Sequence, residues 1–345
     1  MTTMHYIGFD IHKKVISFCE KKIDGEIVEQ DMISATREAL ADLVKTRKHP
    51  WVGAMEATLF TGWIYDYLLP FAQELKVAHP EMLKAITASK KKNDASDAEK
   101  IADLLRCNLL PECYMAPTAQ RDLRRVLRYR NLLVREAVKM KNKTAGLLME
   151  VGAIYNKKRL YGKKYFNQLL EDLDYVPDSV VSLLKISRSN LEIFTGLQKT
   201  LIAGLLADPQ LKQRVELLMT IPGIGEITAL TWVLEIGEVK RFGRISHAVS
   251  YCGLCSAQNE SAGKAKRGPI SKKRNKHLQS VLVEAAKLAP RWNPELAIFH
   301  EKELCKGNRN RATLAVARKL VAYMMAVDKG QRKFTMTEME LEEAA

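Results

Sequence analysis

The sequence predicts an α/β domain, then a long coiled-coil-like helical region, then a mainly α-helical domain. Three observations predict this order. Short β-rich runs alternate with helical patterns over the first hundred residues, and the middle of the chain keeps apolar residues at helical spacing among basic ones. A glycine-containing turn then separates two helical patterns in the last third. We place the boundaries at residues 1–110, 111–215 and 216–335, followed by an acidic tail over 336–345.

The charge balance restricts the class of partner. Of the 345 residues, 55 are Lys or Arg and 40 are Asp or Glu, which gives a formal net charge of +15. Such an excess favours a polyphosphate partner over an acidic small molecule. The six cysteines show no secreted disulfide framework, and neither a basic-then-apolar leader nor a long apolar run is present. We therefore expect a soluble cytoplasmic protein that does not enter a membrane.

The elements of the first domain follow from short alternating patterns. Residues 5–10, 15–20 and 26–29 predict three strands, with a turn at Asp24-Gly25 between the last two. Residues 51–56 and 75–79 predict two more strands. Helices are predicted over 37–47 and 60–74, and another begins near residue 93.

Four carboxylates occupy the ends of these elements. Asp10 and Glu56 each close a buried strand, whereas Asp94 and Asp97 share the first turn of a helix, just after the three lysines 90–92. Sites in open α/β sheets form at strand ends, so the four acids can meet there. Four converging carboxylates suit two Mg²⁺ ions about 4 Å apart, which would clamp a phosphodiester. The alternative is that each acid only ends a strand or begins a helix, where Asp is common.

The middle region is long-helical and basic. A helical pattern starts at residue 120, and a second one covers 180–206, which would run back antiparallel or meet a partner chain. A basic segment at 155–175 interrupts the two. Charge on a long helix is often only a solvated face, but here almost nothing opposes it, which favours contact with a nucleic-acid backbone. The residues assigned to that contact are Arg121, Arg124, Arg125 and Arg128.

A glycine turn at residues 222–225 lies between two helical patterns. Gly223 and Gly225 would let the backbone approach a phosphate, and the amides that open the second helix could hold it. This is a helix-hairpin-helix pattern, typical of DNA binding without base readout. A tight turn that serves only packing is the alternative.

Residues 251–275 predict a loop rich in glycine and cations, which leads into a helix over 276–289. Ser261 lies among small residues, and a serine hydroxyl becomes a nucleophile only when it is activated and the electrophile is fixed. From the residues alone, an ordinary loop remains possible. The Cys252-x-x-Cys255 pair has no second pair to complete a zinc site, so we expect buried thiols. The cations that could hold a phosphate are Lys264, Lys266, Arg267, Lys272 and Lys273.

Several of these segments together resemble the DEDD transposases, the recombinases of insertion sequences. The resemblance includes the ungapped serine segment, although Glu260, Ala262 and Arg274 depart from its usual pattern. It implies an amino-terminal RuvC-like (ribonuclease-H-type) domain and a serine-bearing carboxyl-terminal domain. The segments that carry it are Phe9-Asp10-Ile-His-Lys, Met55-Glu56-Ala-Thr, Lys92-Asn-Asp94-Ala-Ser-Asp97-Ala and the stretch from Tyr251 to Asn275.

The resemblance also implies a mechanism and partners. Asp10, Glu56, Asp94 and Asp97 would hold Mg²⁺, and Ser261 would form a covalent bond with DNA. A noncoding RNA of the same element would pair with donor and target DNA. The protein would work as a homo-oligomer, a dimer or a tetramer, in which the acids of one protomer act with the serine of another.

Two other classes of function stay open. A RuvC-like nuclease or junction resolvase would hydrolyse DNA with metal alone, and Ser261 would then be structural. A non-catalytic DNA-binding protein would keep the helix-hairpin-helix and need none of the acids. The presence of all four acids and the serine argues against this last class.

Overall fold

The computed structural model describes residues 3–87, 94–173, 175–261 and 264–335. The three lysines 90–92 and the acidic tail from residue 336 therefore lie outside the described residues. The chain forms two compact units, Met1–Thr118 and Ala119–Ala345. The predicted boundary at residue 215 falls inside the second unit. Each unit is described by itself.

The first unit is built on a mixed five-stranded sheet. β1 (His5–Ile11) pairs antiparallel with β2 (Val15–Lys21), which pairs antiparallel with β3 (Ile27–Ser34). On its other side β1 runs parallel to β4 (Trp51–Glu56), and β4 runs parallel to β5 (Glu74–Ala78). The spatial order is thus β3-β2-β1-β4-β5, and β1 lies at the centre. The carboxyl ends of β1, β4 and β5 share one edge of the sheet.

Among the described residues of this unit, four α-helices accompany the sheet. They are α1 (Arg37–Thr46), α2 (Thr61–Leu68), α3 (Pro80–Thr87) and α4 (Asp94–Arg106). The sequence predicts a longer second helix, to residue 74, and this is wrong. Pro70 has no amide hydrogen to donate, and α2 gives way to a 3₁₀ turn over Leu69–Phe71. Phe9, Phe18 and Ile64 are fully buried in the core of this unit.

The second unit begins with three helices. The 33-residue α5 (Thr118–Glu150) matches the predicted long basic helix. α6 (Lys163–Glu171) lies in the predicted basic interruption, and α7 (Asp178–Leu205) matches the second helical pattern. The end of α5, α6 and the start of α7 share one apolar cluster, which contains Leu148, Phe166 and Leu184.

The rest of the second unit is a larger helical core. α13 (Arg309–Gly330) contributes many buried residues to it, and Leu320 and Trp232 are fully buried. None of the described helices combines the length and the apolar character needed to cross a lipid bilayer. The other elements are α8 (Pro209–Met219), α9 (Glu226–Ile236), α10 (Ile245–Tyr251), β6 (Ser256–Ser261), β7 (Lys264–Ile270), α11 (Lys276–Leu288) and α12 (Pro294–Cys305).

The stretch predicted as a loop contains an antiparallel hairpin. β6 and β7 pair from Ser256 opposite Ile270 to Ser261 opposite Lys264. The prediction of a loop is therefore wrong over these residues. The hairpin carries glycine, proline and cations instead of alternating apolar residues, and strand pairing needs only backbone donors and acceptors.

Candidate metal centre and serine hairpin

Two of the predicted acids lie at the carboxyl edge of the central strands. Phe9 is the register partner of Met55, so Asp10 and Glu56 follow at the same level on parallel neighbours. Asp10 is 8% exposed, and the Glu56 side chain is half-buried. The shared edge of β1 and β4 therefore places both acids where the strand-end pattern predicts them.

Helix α4 brings the other two acids to this unit's sheet. α4 packs against β1 and β2, and Gly8 makes this possible. A Cβ at residue 8 would lie 2.5 Å from the Ala102 amide nitrogen and closer still to the Ala98 carbonyl oxygen. The backbone of α4 thus occupies the space that any other side chain would fill. Asp94 and Asp97 lie in the first turn of the helix held by this contact.

Polar contacts hold α4 along its length. Near its beginning, the Gln30 side-chain amide donates to the Ala95 carbonyl oxygen over 2.8 Å. Further along, the buried Lys21 ammonium donates to Glu99 at 2.9 Å and to Asp103 at 2.8 Å. The position of the first turn is therefore fixed from β3 and β2 as well as from β1.

Three side chains of this edge form a compact set of possible metal ligands. The His12 Nε2 atom lies 3.1 Å from Asp10 Oδ2 and 3.6 Å from Asp94 Oδ1. One ligand atom from each residue lies within 4.8 Å of the other two. Two carboxylate oxygens and an imidazole nitrogen fit a divalent cation. Among the described residues, Glu56 and Asp97 are not members of this set.

The electrostatics of the edge favour a cation. Burial raises the pKa of Asp10, the charge and hydrogen bond of His12 oppose that rise, and the negative charges of Asp94 and Asp97 add to it. Ionising Asp10 in the folded chain therefore costs free energy, because the side chain is buried and two other carboxylates lie near it. A bound cation would reverse this cost, which is typical of a functional site. Asp97 itself accepts a hydrogen bond from Lys100 at 3.3 Å.

His12 is the site residue that the sequence analysis did not assign. A signal for it was present, because His12 directly follows β1 and lies two residues after Asp10, and alternate residues of an extended chain face the same side. Its closeness to Asp94 depends on where α4 docks, which local spacing does not reveal.

The predicted nucleophile lies on the hairpin of the second unit. Ser261 is the last residue of β6 and pairs with Lys264. Ala262, which follows Ser261 in the motif, lies outside the described residues. Lys264, Lys266 and Arg267 lie on β7, and Lys272 and Lys273 follow it as exposed residues.

The base of the hairpin is closed by backbone hydrogen bonds. The Ser271 amide donates to the Cys255 carbonyl oxygen over 3.1 Å, and the Asn275 amide donates to the Tyr251 carbonyl oxygen over 3.0 Å. The hairpin therefore leaves the helical core and returns to it at adjacent points.

A buried carboxylate fixes this base. Glu235, on α9, is fully buried, and Arg128 donates to its two oxygens over 2.8 Å each. Asn275, the N-cap of α11, donates to the same carboxylate at 2.8 Å, and the Tyr251 hydroxyl donates to the Glu235 carbonyl oxygen at 3.2 Å. Burial alone would raise the pKa of Glu235, but the hydrogen bond and charge of Arg128 bring it below the usual value.

The four arginines predicted to contact nucleic acid have different surroundings. Arg124 donates to the Leu234 and Glu235 carbonyl oxygens, and Arg128 holds the Glu235 carboxylate. Arg121 is half-buried, whereas Arg125 is exposed and pairs with Asp122 at 2.8 Å. Arg124 and Arg128 thus hold groups of α9, a role that spacing on the helix does not reveal.

The two turn glycines also differ. Gly223 has a φ of +94°, and a Cβ there would lie 2.6 Å from the Ala289 Cα atom, so its side of the turn is packed. Gly225 is exposed, begins α9 as its N-cap and faces open space. Contact of this turn with nucleic acid stays a prediction.

The cysteine pair is partly buried. Cys252 is fully buried and burial raises the pKa of its thiol, whereas Cys255 is half-buried. Among the described side chains, neither joins a group with the spacing of metal ligands.

Comparison with protein families gives two matches, which cover separate stretches of the chain. A model for transposases of the DEDD, IS110 type matches residues 7–152. A model described as the transposase IS116/IS110/IS902 family matches residues 215–301. The first match contains Asp10, Glu56, Asp94 and Asp97, and the second contains Ser261.

Curated relatives cover most of the chain. The transposase for insertion sequence element IS1111A of Coxiella burnetii is 25% identical over 92% of this chain and 88% of its own length. The transposase for IS1328 of Yersinia enterocolitica is 25% identical over 93% of this chain and 95% of its own length. A pilin gene-inverting protein of Moraxella bovis is 31% identical, over 36% of this chain and 40% of its own length.

Proposed function

Since the chain belongs to the DEDD transposase family of insertion sequences, we propose that it cuts and rejoins DNA through a covalent bond to Ser261. The acids Asp10, Glu56, Asp94 and Asp97 would form its divalent-metal site, with Mg²⁺ as the expected ion. The observation that carries the proposal is the approach of Asp10 and Asp94 at one sheet edge, although they lie far apart in the sequence. The sheet order β3-β2-β1-β4-β5 supports the RuvC-like assignment of this unit.

The metal site has a defined task in this proposal. A bound divalent cation would supply Lewis-acid stabilisation of charge on the phosphate. Asp10 would provide a buried ligand held by the centre of the sheet. Asp94 would provide a more exposed ligand on the side from which a DNA strand can approach, because its side chain is 48% exposed.

The serine step conserves the energy of the phosphodiester. The Ser261 hydroxyl oxygen attacks phosphorus and loses its proton to solvent, while the bond from phosphorus to the departing deoxyribose oxygen breaks and that oxygen takes up a proton. The product is a protein–DNA phosphodiester. A hydroxyl of another DNA end can reverse the exchange, which rejoins strands without ATP. The cations of β7 and of residues 272–273 would hold the phosphates near the hairpin.

The test is a trap for the covalent product. Labelled DNA carrying the ends of the element is incubated with the full chain and then denatured, and DNA that migrates with the protein is measured. Ser261→Ala should remove both the adduct and recombination, whereas the matched controls Ser256→Ala and Ser271→Ala should keep both. An adduct that persists in Ser261→Ala would place the nucleophile elsewhere. Strand cleavage by the parent without any adduct would favour the metal-dependent nuclease instead.

A second variant tests the acids. Asp10→Asn should abolish strand exchange while folding and nucleic-acid binding remain, because one ligand of the metal clamp is lost. Recombination at the parental rate in excess Mg²⁺ would refute the assignment of these acids.

The partners are part of the same proposal. Donor and target DNA, a noncoding guide RNA of the element and a homo-oligomer, a dimer or a tetramer, follow from the family resemblance, and the net charge of +15 supports a nucleic-acid partner. Sequencing of RNA that copurifies with the full chain tests the guide. Recovery of only random cellular RNA would contradict it.

The exposed Arg125 gives a direct test of α5. Arg125→Ala should weaken DNA binding and make the negative slope of log K against log salt shallower by about 0.9.

A further inference from the structure

We propose that His12 is a ligand of the divalent cation at Asp10 and Asp94, and that its imidazole makes this site favour Mn²⁺ over Mg²⁺. The inference rests on the metal site of the proposed function. It adds a nitrogen ligand from outside the four acids, and it makes the choice of ion a property of one side chain.

The distances between the three ligand atoms fit a single ion. An octahedral ion with bonds of about 2.1 Å keeps neighbouring ligand atoms about 3.0 Å apart. His12 Nε2 lies 3.1 Å from Asp10 Oδ2 and 3.6 Å from Asp94 Oδ1. The ligand oxygens of Asp10 and Asp94 lie within 4.8 Å of each other, so side-chain rotations would bring all three atoms to adjacent positions around one cation.

The backbone keeps His12 at this place. It directly follows β1, and its amide donates to the Val15 carbonyl oxygen over 2.9 Å, which closes the turn into β2. The His12 imidazole is 47% exposed and the Asp94 side chain is 48% exposed, whereas the Asp10 side chain is only 12% exposed. One deep and two open ligands leave the solvent side of an ion available to water and phosphate.

The chemistry of the ligands gives the direction of the preference. Mg²⁺ takes oxygen ligands and gives up its water reluctantly, so an imidazole adds little to its binding. Mn²⁺ accepts carboxylate oxygens equally well and follows the first-row order of affinity for nitrogen ligands. Loss of the imidazole should therefore weaken Mn²⁺ much more than Mg²⁺.

A hydrogen bond offers a competing explanation. In this explanation the sole role of His12 is to donate a hydrogen bond to Asp10 and orient it. Any other donor at the same place would then serve equally well. His12→Gln separates the two roles, because a glutamine amide can donate to Asp10 but has no imidazole nitrogen to offer a metal. His300→Gln, on α12 of the other unit, serves as the matched control.

The experiment measures binding by the full chain without DNA. Free Mn²⁺ is followed by its electron paramagnetic resonance signal, Mg²⁺ by competition against it, and nitrogen coupling to bound Mn²⁺ by pulsed resonance. We expect imidazole nitrogen coupling in the parent and its loss in His12→Gln. The Kd for Mn²⁺ should rise at least about 10-fold in that variant, while the Kd for Mg²⁺ stays within about threefold. His300→Gln should match the parent.

The failures of the two proposals are distinguishable. Mn²⁺ that binds without nitrogen coupling, or a His12→Gln variant with the parental ratio of the two Kd values, overturns the role of His12 and leaves the acids as the metal site. Mn²⁺ binding that Asp10→Asn does not weaken, or a parent that binds neither ion, overturns the metal site itself and the inference with it.

Discussion

Replacing Gly8 by alanine should push α4 away from the sheet and weaken the proposed metal site. The added Cβ would lie 2.5 Å from the Ala102 amide nitrogen. Ordinary van der Waals contact begins at 3.4 Å, so the helix has to retreat by about 0.9 Å at this atom and by more at the Ala98 carbonyl oxygen, which lies closer still. Backbone atoms cannot swing aside as the end of a flexible side chain can. The retreat therefore moves Asp94 away from Asp10.

Two effects with opposite signs decide the stability of this variant. Alanine in a strand is favoured over glycine by about 0.5–1 kcal/mol, because glycine loses more conformational entropy on folding. Overpacking a core costs about 1–3 kcal/mol. The cost of the clash exceeds the entropic gain, and we expect a net loss of about 1–2 kcal/mol in the free energy of unfolding. A displacement near 1 Å at a catalytic group can reduce activity on the order of 100-fold.

The assay measures metal affinity and the docking of α4 in the same variant. Mn²⁺ affinity reports the site, and hydrogen exchange of the peptide over residues 94–106 reports the docking. Both should change together in Gly8→Ala. Gly146→Ala is the control, because a Cβ at residue 146 in α5 meets no atom within 4 Å. It should stabilise the chain by up to about 1 kcal/mol and leave metal binding unchanged. A Gly8→Ala variant with parental exchange and parental Mn²⁺ affinity would refute the close-packing argument.

Three further predictions concern buried charges. Lys21→Met should lower the free energy of unfolding by about 2 kcal/mol and speed hydrogen exchange in α4. The loss is smaller than for a wholly buried pair, because the two carboxylates left without a partner are about one-third exposed. Unchanged exchange would contradict this prediction. Glu235→Gln should lower the free energy of unfolding by about 3 kcal/mol in urea titrations followed by tryptophan fluorescence. The double variant with Arg128→Met should lose less than the sum of the two single losses, and strict additivity would argue against the pair. Burial lowers the pKa of His277 below its ordinary 6.5, so the unfolded chain binds the proton first, and stability should fall as pH drops below 6.5. His277→Gln should flatten that part of the pH profile, and an unchanged slope would assign it to other groups.

Strand ends were the most predictable feature of the candidate site. Asp10 and Glu56 close apolar runs, and runs of that kind end at one edge when the strands are parallel. The first turn of α4 was predictable from Asp94 and the apolar spacing that follows it. These inferences use local pattern and one rule of topology, which is why they agree with the structure.

The rest depended on partners that local pattern does not contain. His12 belongs to the set of possible metal ligands only because α4 brings Asp94 near it, and α4 docks there because Gly8 lacks a side chain. The β6–β7 hairpin has no apolar alternation to announce it. Arg128 belongs to the basic stripe of α5 in the sequence, yet in the structure it neutralises a buried glutamate. Pro70 interrupts the second helix, whereas the periodic apolar pattern around it predicts that the helix continues.

The close seating of α4 on β1 also determines when this unit can become complete during synthesis. β1 leaves the ribosome first, but its partner β4 comes about forty residues later, and α4 ends only at Arg106. Until then the surface around Gly8 has no helix to cover it, and the nascent chain presents an apolar sheet face with an unfinished ligand set. A unit whose contacts join residues far apart in the sequence folds slowly, and its exposed apolar surface can aggregate in the meantime. A fragment that stops before α4 should therefore be insoluble, and it would lack Asp94, one of the three possible metal ligands at this sheet edge.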